Sequence, residues 1–257
     1  MGNIGVAVIG AGGIGTLRAQ SCSQIPQIDH LSVCDIDKTK LDTLSNKVNA
    51  TFATTNYEEA IKDEKIQAVI VSTDEESHYA PAKLAVELGK AVLIEKPFVL
   101  NLDEADDILA ISSKTSANVY VGYTQRFRRR YLLAKEAVDA GNLGDLVMAM
   151  GKIYVTRAVG EAVASRSPNT TPSINTLTYM VDLILWYMEG KKPVEVYARS
   201  DSRLFKKYDR DDFQWMIVTF DDGSVATLGT SWLPPHHWPA YTCLLYTSDA
   251  ADEGLGV

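Results

Sequence analysis

Ile4-Gly5-Val6-Ala7-Val8-Ile9 has no polar side chain and runs directly into Gly10-Ala11-Gly12-Gly13-Ile14-Gly15. A short apolar run reads as a buried strand, and the spacing after Gly15 predicts a helix from Thr16 to Gln24. G-x-G-x-x-G alone is a weak signal. Between a strand and a helix it stands in the context that the motif requires. Gly10 permits the tight turn, Gly12 admits a pyrophosphate close to the backbone, and Gly15 lets the helix pack on the strand. Gly13 and Ile14 complete the turn, and the helix start offers N–H groups to an anion. The alternative is a glycine-rich turn that holds nothing, and the next element weighs against it.

That element is His30-Leu31-Ser32-Val33-Cys34-Asp35, a second strand ending in an acid twenty residues after Gly15. An acid there accepts hydrogen bonds from the adenosine ribose and repels a 2′-phosphate, which favours NAD over NADP. Asp37 and Lys38 leave NADP as the lesser alternative. Further apolar runs at Thr51-Phe52-Ala53, Ala68 to Thr73, Ala91 to Ile94 and Asn118 to Tyr123 alternate with helical stretches at Lys38 to Val48, Tyr57 to Ile61, Pro81 to Leu88 and Asp103 to Lys114. Such alternation with apolar strands implies α/β architecture with a doubly wound parallel sheet. Ligands bind beyond the carboxyl ends of those strands, where Gly10, Asp35, Thr73, Lys96 and Tyr123 all fall. Lys96 follows the run Val92-Leu93-Ile94 and Glu95, so its ammonium is placed at that edge to donate to a substrate oxygen. Burial and neighbouring cations lower a lysine pKa, whereas Glu95 would raise it.

Arg129 to Ala140 predicts a helix closed by Gly141, after which the pattern becomes extended. Val147 to Val155, Val194 to Ala198, Phe213 to Phe220 and Ser224 to Leu233 read as strands, the last two joined by an Asp221-Asp222-Gly223 hairpin turn. They surround one predicted helix, Asn175 to Met188. The second half is therefore an α+β layer with a mostly antiparallel sheet.

The formal net charge of −8 weighs against nucleic acid as a partner. The Arg126, Arg128, Arg129, Arg130 cluster reads as a solvated helix start or an ion-pair network. Three scattered cysteines, Cys22, Cys34 and Cys243, suit free thiols in a reducing, cytoplasmic setting. No metal-ligand spacing is evident, and adjacent His236 and His237 read as loop residues. No apolar run is long enough to span a bilayer.

The glycine turn, Ser72-Thr73 with His78, Glu95-Lys96-Pro97 and Gly122-Tyr123-Thr124-Gln125-Arg126-Phe127 together resemble the Gfo/Idh/MocA family, over roughly residues 3 to 235. The resemblance implies a Rossmann domain over residues 1–123 and a substrate and oligomerisation domain over 124–257. It implies NAD(P)-dependent hydride transfer at a hydroxyl or ketone of a sugar, cyclitol or sugar derivative and, for a full-length chain, a homo-oligomer. By that resemblance Ser72, Thr73, His78, Glu95, Lys96 and Gln125 join the glycine turn and Asp35 in holding the cofactor. Lys96 would hydrogen-bond the reacting hydroxyl, His78 would hold its loop, and the Lys96-Pro97 bond would be cis.

Departures accompany the likeness. The family continues Ser72-Thr73 with Pro and Asn, where this chain has Asp74-Glu75. The family's helical acid and histidine, four residues apart, fall on Asn175 and Tyr179. That spacing puts both on one helix face. A tyrosine, with a reference pKa of about 10 against about 6.5 for histidine, remains able to exchange protons beside a lysine. Two readings stay open: Tyr179 works as the acid–base group, or it packs in a dinucleotide-binding homologue that is slow or inactive. Asp182, on the same helix, needs a hydrogen-bonding partner. The stretch 244–257 lacks strand alternation and resembles translated adapter sequence, so the expectation is an incomplete second domain with a foreign tail.

Overall fold

The computed structural model describes residues 3–238 and the backbone of Tyr241–Tyr246. It divides into two compact units, Met1–Gly122 and Tyr123–Val257.

In the first unit β1 (Ile4–Ile9) leads into α1 (Gly13–Ser23), then β2 (Ile28–Cys34), α2 (Lys38–Val48), β3 (Phe52–Thr54), α3 (Tyr57–Lys62) and β4 (Ile66–Val71). A 3₁₀ turn, Glu75–Ser77, precedes α4 (Tyr79–Glu87), and β5 (Ala91–Ile94), α5 (Leu102–Thr115) and β6 (Val119–Val121) complete the unit. The strands form one six-stranded sheet in the order β3-β2-β1-β4-β5-β6, all parallel. Strand order reverses between β1 and β4, which opens a crevice beyond their carboxyl ends. Alternate residues of β1 serve opposite faces: Ala7 and Ile9 join the core against α4, and Val6 and Val8 join the core against α1 and α2. Both faces are therefore covered, and β1 and β5 carry no polar side chain along their length. Helix starts are capped where the sequence supplies the oxygen, by Asp37 on α2, Asn56 on α3 and Asn101 on α5.

The second unit starts with a 3₁₀ turn, Thr124–Phe127, and continues with α6 (Arg129–Asp139), β7 (Met148–Tyr154), α7 (Arg157–Arg166) and α8 (Thr178–Tyr187), then β8 (Pro193–Asp201), β9 (Phe213–Phe220), β10 (Val225–Ser231) and β11 (Tyr241–Tyr246). The sheet order is β11-β7-β10-β9-β8, with β7 and β10 parallel and the other pairs antiparallel. Its core packs Leu177, Met180, Leu183 and Ile184 against Val218, Phe220, Ala226 and Leu228. The fold is thus the α/β arrangement expected, a doubly wound parallel sheet followed by a mixed, mostly antiparallel one.

Three differences are informative. The pattern predicts one helix among these strands, but α7 is a second, through Gly160. The helix predicted from Asn175 is not α-helical at its start, because Ser173–Leu177 forms a π-turn. β11 carries paired backbone through Leu244, Leu245 and Tyr246, inside the stretch expected to lack strand structure. Residues 247–257 of that stretch lie outside the described residues.

Candidate cofactor and catalytic site

The glycine turn divides its work between packing and exposure. Gly10 has φ +103°, and a Cβ there would stand 2.5 Å from the Ser72 carbonyl oxygen. A Cβ on Gly15 would overlap the Gly10 carbonyl and stand 2.8 Å from Ser72 Oγ. These two glycines let β1, α1 and the end of β4 interlock. Gly12 differs: its φ is −67°, and a Cβ there would meet nothing within 4 Å. The fold makes no demand for glycine at that point. α1 also starts without a side-chain cap or an acid in its first turn, so its N–H groups keep their donor capacity for an anion.

Asp35 stands beside this turn. Ala11 N–H donates to its Oδ2 at 2.6 Å, and Asp37 N–H donates to its Oδ1 at 2.8 Å. Each carboxylate oxygen keeps lone pairs for ribose hydroxyls. Gly10, Gly12, Asp35, Ser72 and Thr73 come together on a cavity of about 650 Å³ at the strand ends. Asp37, Asp74 and Glu76 add carboxylates to its walls, and Lys40 adds an amine. Lys38, the cation expected to soften the preference against a 2′-phosphate, instead pairs with Asp42 at 3.0 Å. Cys34, at the cavity floor, has its thiol pushed up to about 12, by burial first and by the Asp35 and Glu59 charges second. Thr73 Oγ1 is buried without a hydrogen-bond partner among the described residues. The exposed face of the turn, the uncapped helix start and the acid beyond them fit a dinucleotide.

Further along the sheet edge, Glu95, Lys96 and Pro97 follow β5, and the Lys96-Pro97 peptide is cis. His78, almost fully buried, places Nδ1 2.8 Å from the Pro97 carbonyl and Nε2 3.2 Å from the Thr73 carbonyl. It thereby joins two loops at the sheet edge. The Glu95 carboxylate accepts from Arg18 Nε of α1 at 2.7 Å and lies against Gly122. Nothing in the motif spacing marks Arg18 as its partner.

The second unit assembles the other candidates. Asn175 is buried in the π-turn, and Tyr179, the second residue of α8, is half-buried. The Thr178 N–H reaches the Ser173 carbonyl, five residues back, so the regular four-residue spacing assumed for Asn175 and Tyr179 does not hold across the junction. Tyr123 braces this start: its hydroxyl lies 2.7 Å from Thr178 Oγ1, and its ring meets that of Tyr179 edge-on, with centroids 6.3 Å apart. Burial raises the Tyr123 pKa. Arg126 donates to both Asp182 oxygens, at 2.8 and 2.6 Å, and lies over the Trp186 ring. That bidentate bond raises the Arg126 pKa and gives Asp182 the partner it needed. Gln125 is buried beside it in the 3₁₀ turn, with Oε1 unpartnered among the described residues. Lys96 belongs to the first unit, and Gln125, Asn175 and Tyr179 belong to the second.

Residues 4–123 match the family model described as an oxidoreductase family with an NAD-binding Rossmann fold, and residues 131–250 match the GFO/IDH/MocA C-terminal domain. The chain belongs to the Gfo/Idh/MocA family. Among Gfo/Idh/MocA relatives, a myo-inositol 2-dehydrogenase of Thermotoga maritima is 29% identical over 243 residues, covering 88% of this chain and 68% of that protein. An uncharacterized oxidoreductase of Bacillus subtilis, YrbE, is 25% identical over 237 residues, covering 87% of this chain and 66% of that protein. The Lactobacillus casei scyllo-inositol dehydrogenase, solved with NAD(H) and scyllo-inositol, shares the fold at a TM-score of 0.81 and 18% identity, covering 95% of this chain and 74% of that one. The chain thus spans about two thirds of the length of the curated relatives that it matches most fully. Among the described residues no group of three or more His, Cys, Asp or Glu could hold a metal, and no helix is long and apolar enough to cross a membrane.

Proposed function

We propose that this chain is an NAD-dependent oxidoreductase that moves a hydride between the nicotinamide and a secondary hydroxyl, or the matching ketone, of a cyclitol or sugar. The observation that carries the reading is the open face at Gly12 beside Asp35, at the switch point of an all-parallel sheet. The names of the inositol dehydrogenase relatives support the substrate class.

Bound there, NAD would supply the hydride acceptor. The residues of this chain bind, orient and exchange protons. Gly10 to Gly15 and the start of α1 hold the pyrophosphate, with Ser72 and Thr73 on the flank, while Asp35 takes the ribose hydroxyls. The carboxylates around that end of the cavity, against one amine, oppose a 2′-phosphate and favour NAD over NADP. Lys96 donates a hydrogen bond to the reacting oxygen. Tyr179 is the acid–base candidate, with Asn175 as a polar contact for the substrate, and Gln125 contributes to the cofactor site.

A second reading, a dinucleotide-binding homologue with little turnover, follows if Tyr179 takes the place of the family histidine, as the resemblance implies. Loss of acid–base assistance costs about 10²- to 10⁴-fold, so residual activity would persist. Titration with NAD and NADP, followed by spectrophotometric NADH formation across a panel of cyclitols and sugars, tests the proposal. Saturable NAD binding with turnover of at least one polyol supports it. NAD binding without turnover supports the second reading, and no NAD binding rejects both.

A further inference from the structure

Arg18 has no place in the cofactor or substrate contacts described above. It projects from the second turn of α1, the helix that starts in the glycine turn, and ends on Glu95. Its Nε donates to Glu95 Oε1 at 2.7 Å, and Nη2 reaches the same oxygen. The pair is largely shielded, with 24% of the Arg18 side chain and 11% of the Glu95 side chain exposed. The carboxylate is confined on its far side as well. A Cβ on Gly122 would stand 2.7 Å from Glu95 Oε2, so the residue after β6 supplies a bare backbone for the acid to rest on. Backbone bonds fix the strand beneath: Glu95 N–H donates to Val71 O at 2.9 Å, and Gly122 N–H donates to Ile94 O at 2.7 Å. On the other side of Lys96, His78 holds the Pro97 carbonyl at 2.8 Å. Lys96 therefore stands between two side-chain anchors, one rooted in α1 and the other in α4.

We propose that Arg18 is a positioning residue for Lys96: through Glu95 it couples the helix that receives the pyrophosphate to the turn that presents the lysine. Glu95 then serves as the link in this brace, with its carboxylate committed to Arg18 and not to the cofactor. The proposal rests on the functional reading above. It also states something that reading does not need, namely that the lysine turn loses its fixed geometry when a residue of the first helix is changed.

The test is hydrogen exchange of the full chain, followed by mass spectrometry of the peptide spanning residues 92–99, in wild type, Arg18→Met and Glu95→Gln. Glu95→Gln keeps the volume against Gly122 and guards against a fold defect peculiar to the arginine variant. Both variants should exchange about tenfold or more faster in that peptide, with peptides from β1 and β2 unchanged. The double variant should add nothing to the single changes, because both remove the same link. In turnover, Arg18→Met should lower kcat on the order of 100-fold, as misplacement of a reacting group by about 1 Å does, with NAD affinity within about threefold of wild type. Arg18→Lys should recover part of that loss through a single contact. Unchanged exchange in peptide 92–99 in both variants overturns the proposal. So does a loss of NAD affinity that accounts for the whole change in rate, which would make Arg18 a cofactor ligand. If wild type binds NAD but turns over no polyol, the functional reading fails, and the exchange data still decide on the brace.

Discussion

At the scale of single residues, the fold makes no demand for glycine at position 12, whereas the proposed cofactor site does. With φ at −67° and open space where a Cβ would sit, Gly12→Ala should leave the denaturation midpoint within error of wild type. NAD affinity should fall by tenfold or more, about 1.4 kcal/mol. Isothermal titration beside a thermal melt checks both halves. Tyr179→His separates the two readings of that position. A rise in turnover of about 10²-fold or more identifies the tyrosine as a deficit, and a fall identifies it as the working acid–base group. Cys34 gives a pH prediction with a definite sign. Its folded thiol stays protonated up to about 12, whereas an exposed thiol ionises near 9.0. Between those values the unfolded chain has lost a proton that the folded chain keeps. Stability therefore falls with rising pH, by about 1.4 kcal/mol per unit from this group. Cys34→Ala should flatten that slope in denaturant titrations across the same range. Residue types at the cofactor turn were legible in the sequence because the steric and electrostatic demands there are local. The destination of Glu95 was not: a carboxylate beside a lysine invites pairing with it, and only the approach of α1 supplies Arg18.

At the scale of elements, the clamp around the start of α8 is the feature most open to experiment. Arg126 and Asp182 are unequally exposed, at 39% and 8% of their side chains. Removing the arginine strands a buried carboxylate, whereas removing the acid leaves a cation that reaches water. Arg126→Met should therefore lower stability by roughly 2–3 kcal/mol, and Asp182→Asn by about 1 kcal/mol. Urea midpoints of the two variants would check the order, and equal losses would contradict it. The strands and helices of the first unit follow from alternating apolar runs, because each local pattern agrees with its place in the sheet. α7 was not legible for the opposite reason. Gly160 sits within it, a position that ordinarily weakens a helix. Here the missing side chain admits Trp232 and Phe205, since a Cβ would stand 2.7 Å from Trp232 Cβ. Packing outweighs propensity, and nothing local records the partner. The π-turn at Ser173–Leu177 escaped for a related reason: one extra residue in a turn does not disturb an apolar pattern.

At the scale of the whole molecule, the second sheet ends at β8, whose residues Val194, Val196 and Tyr197 are 63, 58 and 66% exposed. Exposed apolar side chains on an edge strand favour association with another copy. The homo-oligomer expected of the full-length protein should then dissociate, wholly or in part, in Val196→Lys with Tyr197→Lys. Sedimentation velocity would read this, and an unchanged profile would place any interface elsewhere. The first sheet has a different kind of completeness. Its strands are consecutive in sequence, and its last, β6, ends at Val121, just before the boundary at Gly122. As the chain leaves a ribosome, every strand of that sheet is available before any strand of the second unit has been made. The cavity lined by Gly10, Gly12, Asp35, Ser72 and Thr73 belongs to this leading portion, so a dinucleotide that binds there would act as a folding ligand for it, stabilising the nascent first unit while the remainder is still being synthesised.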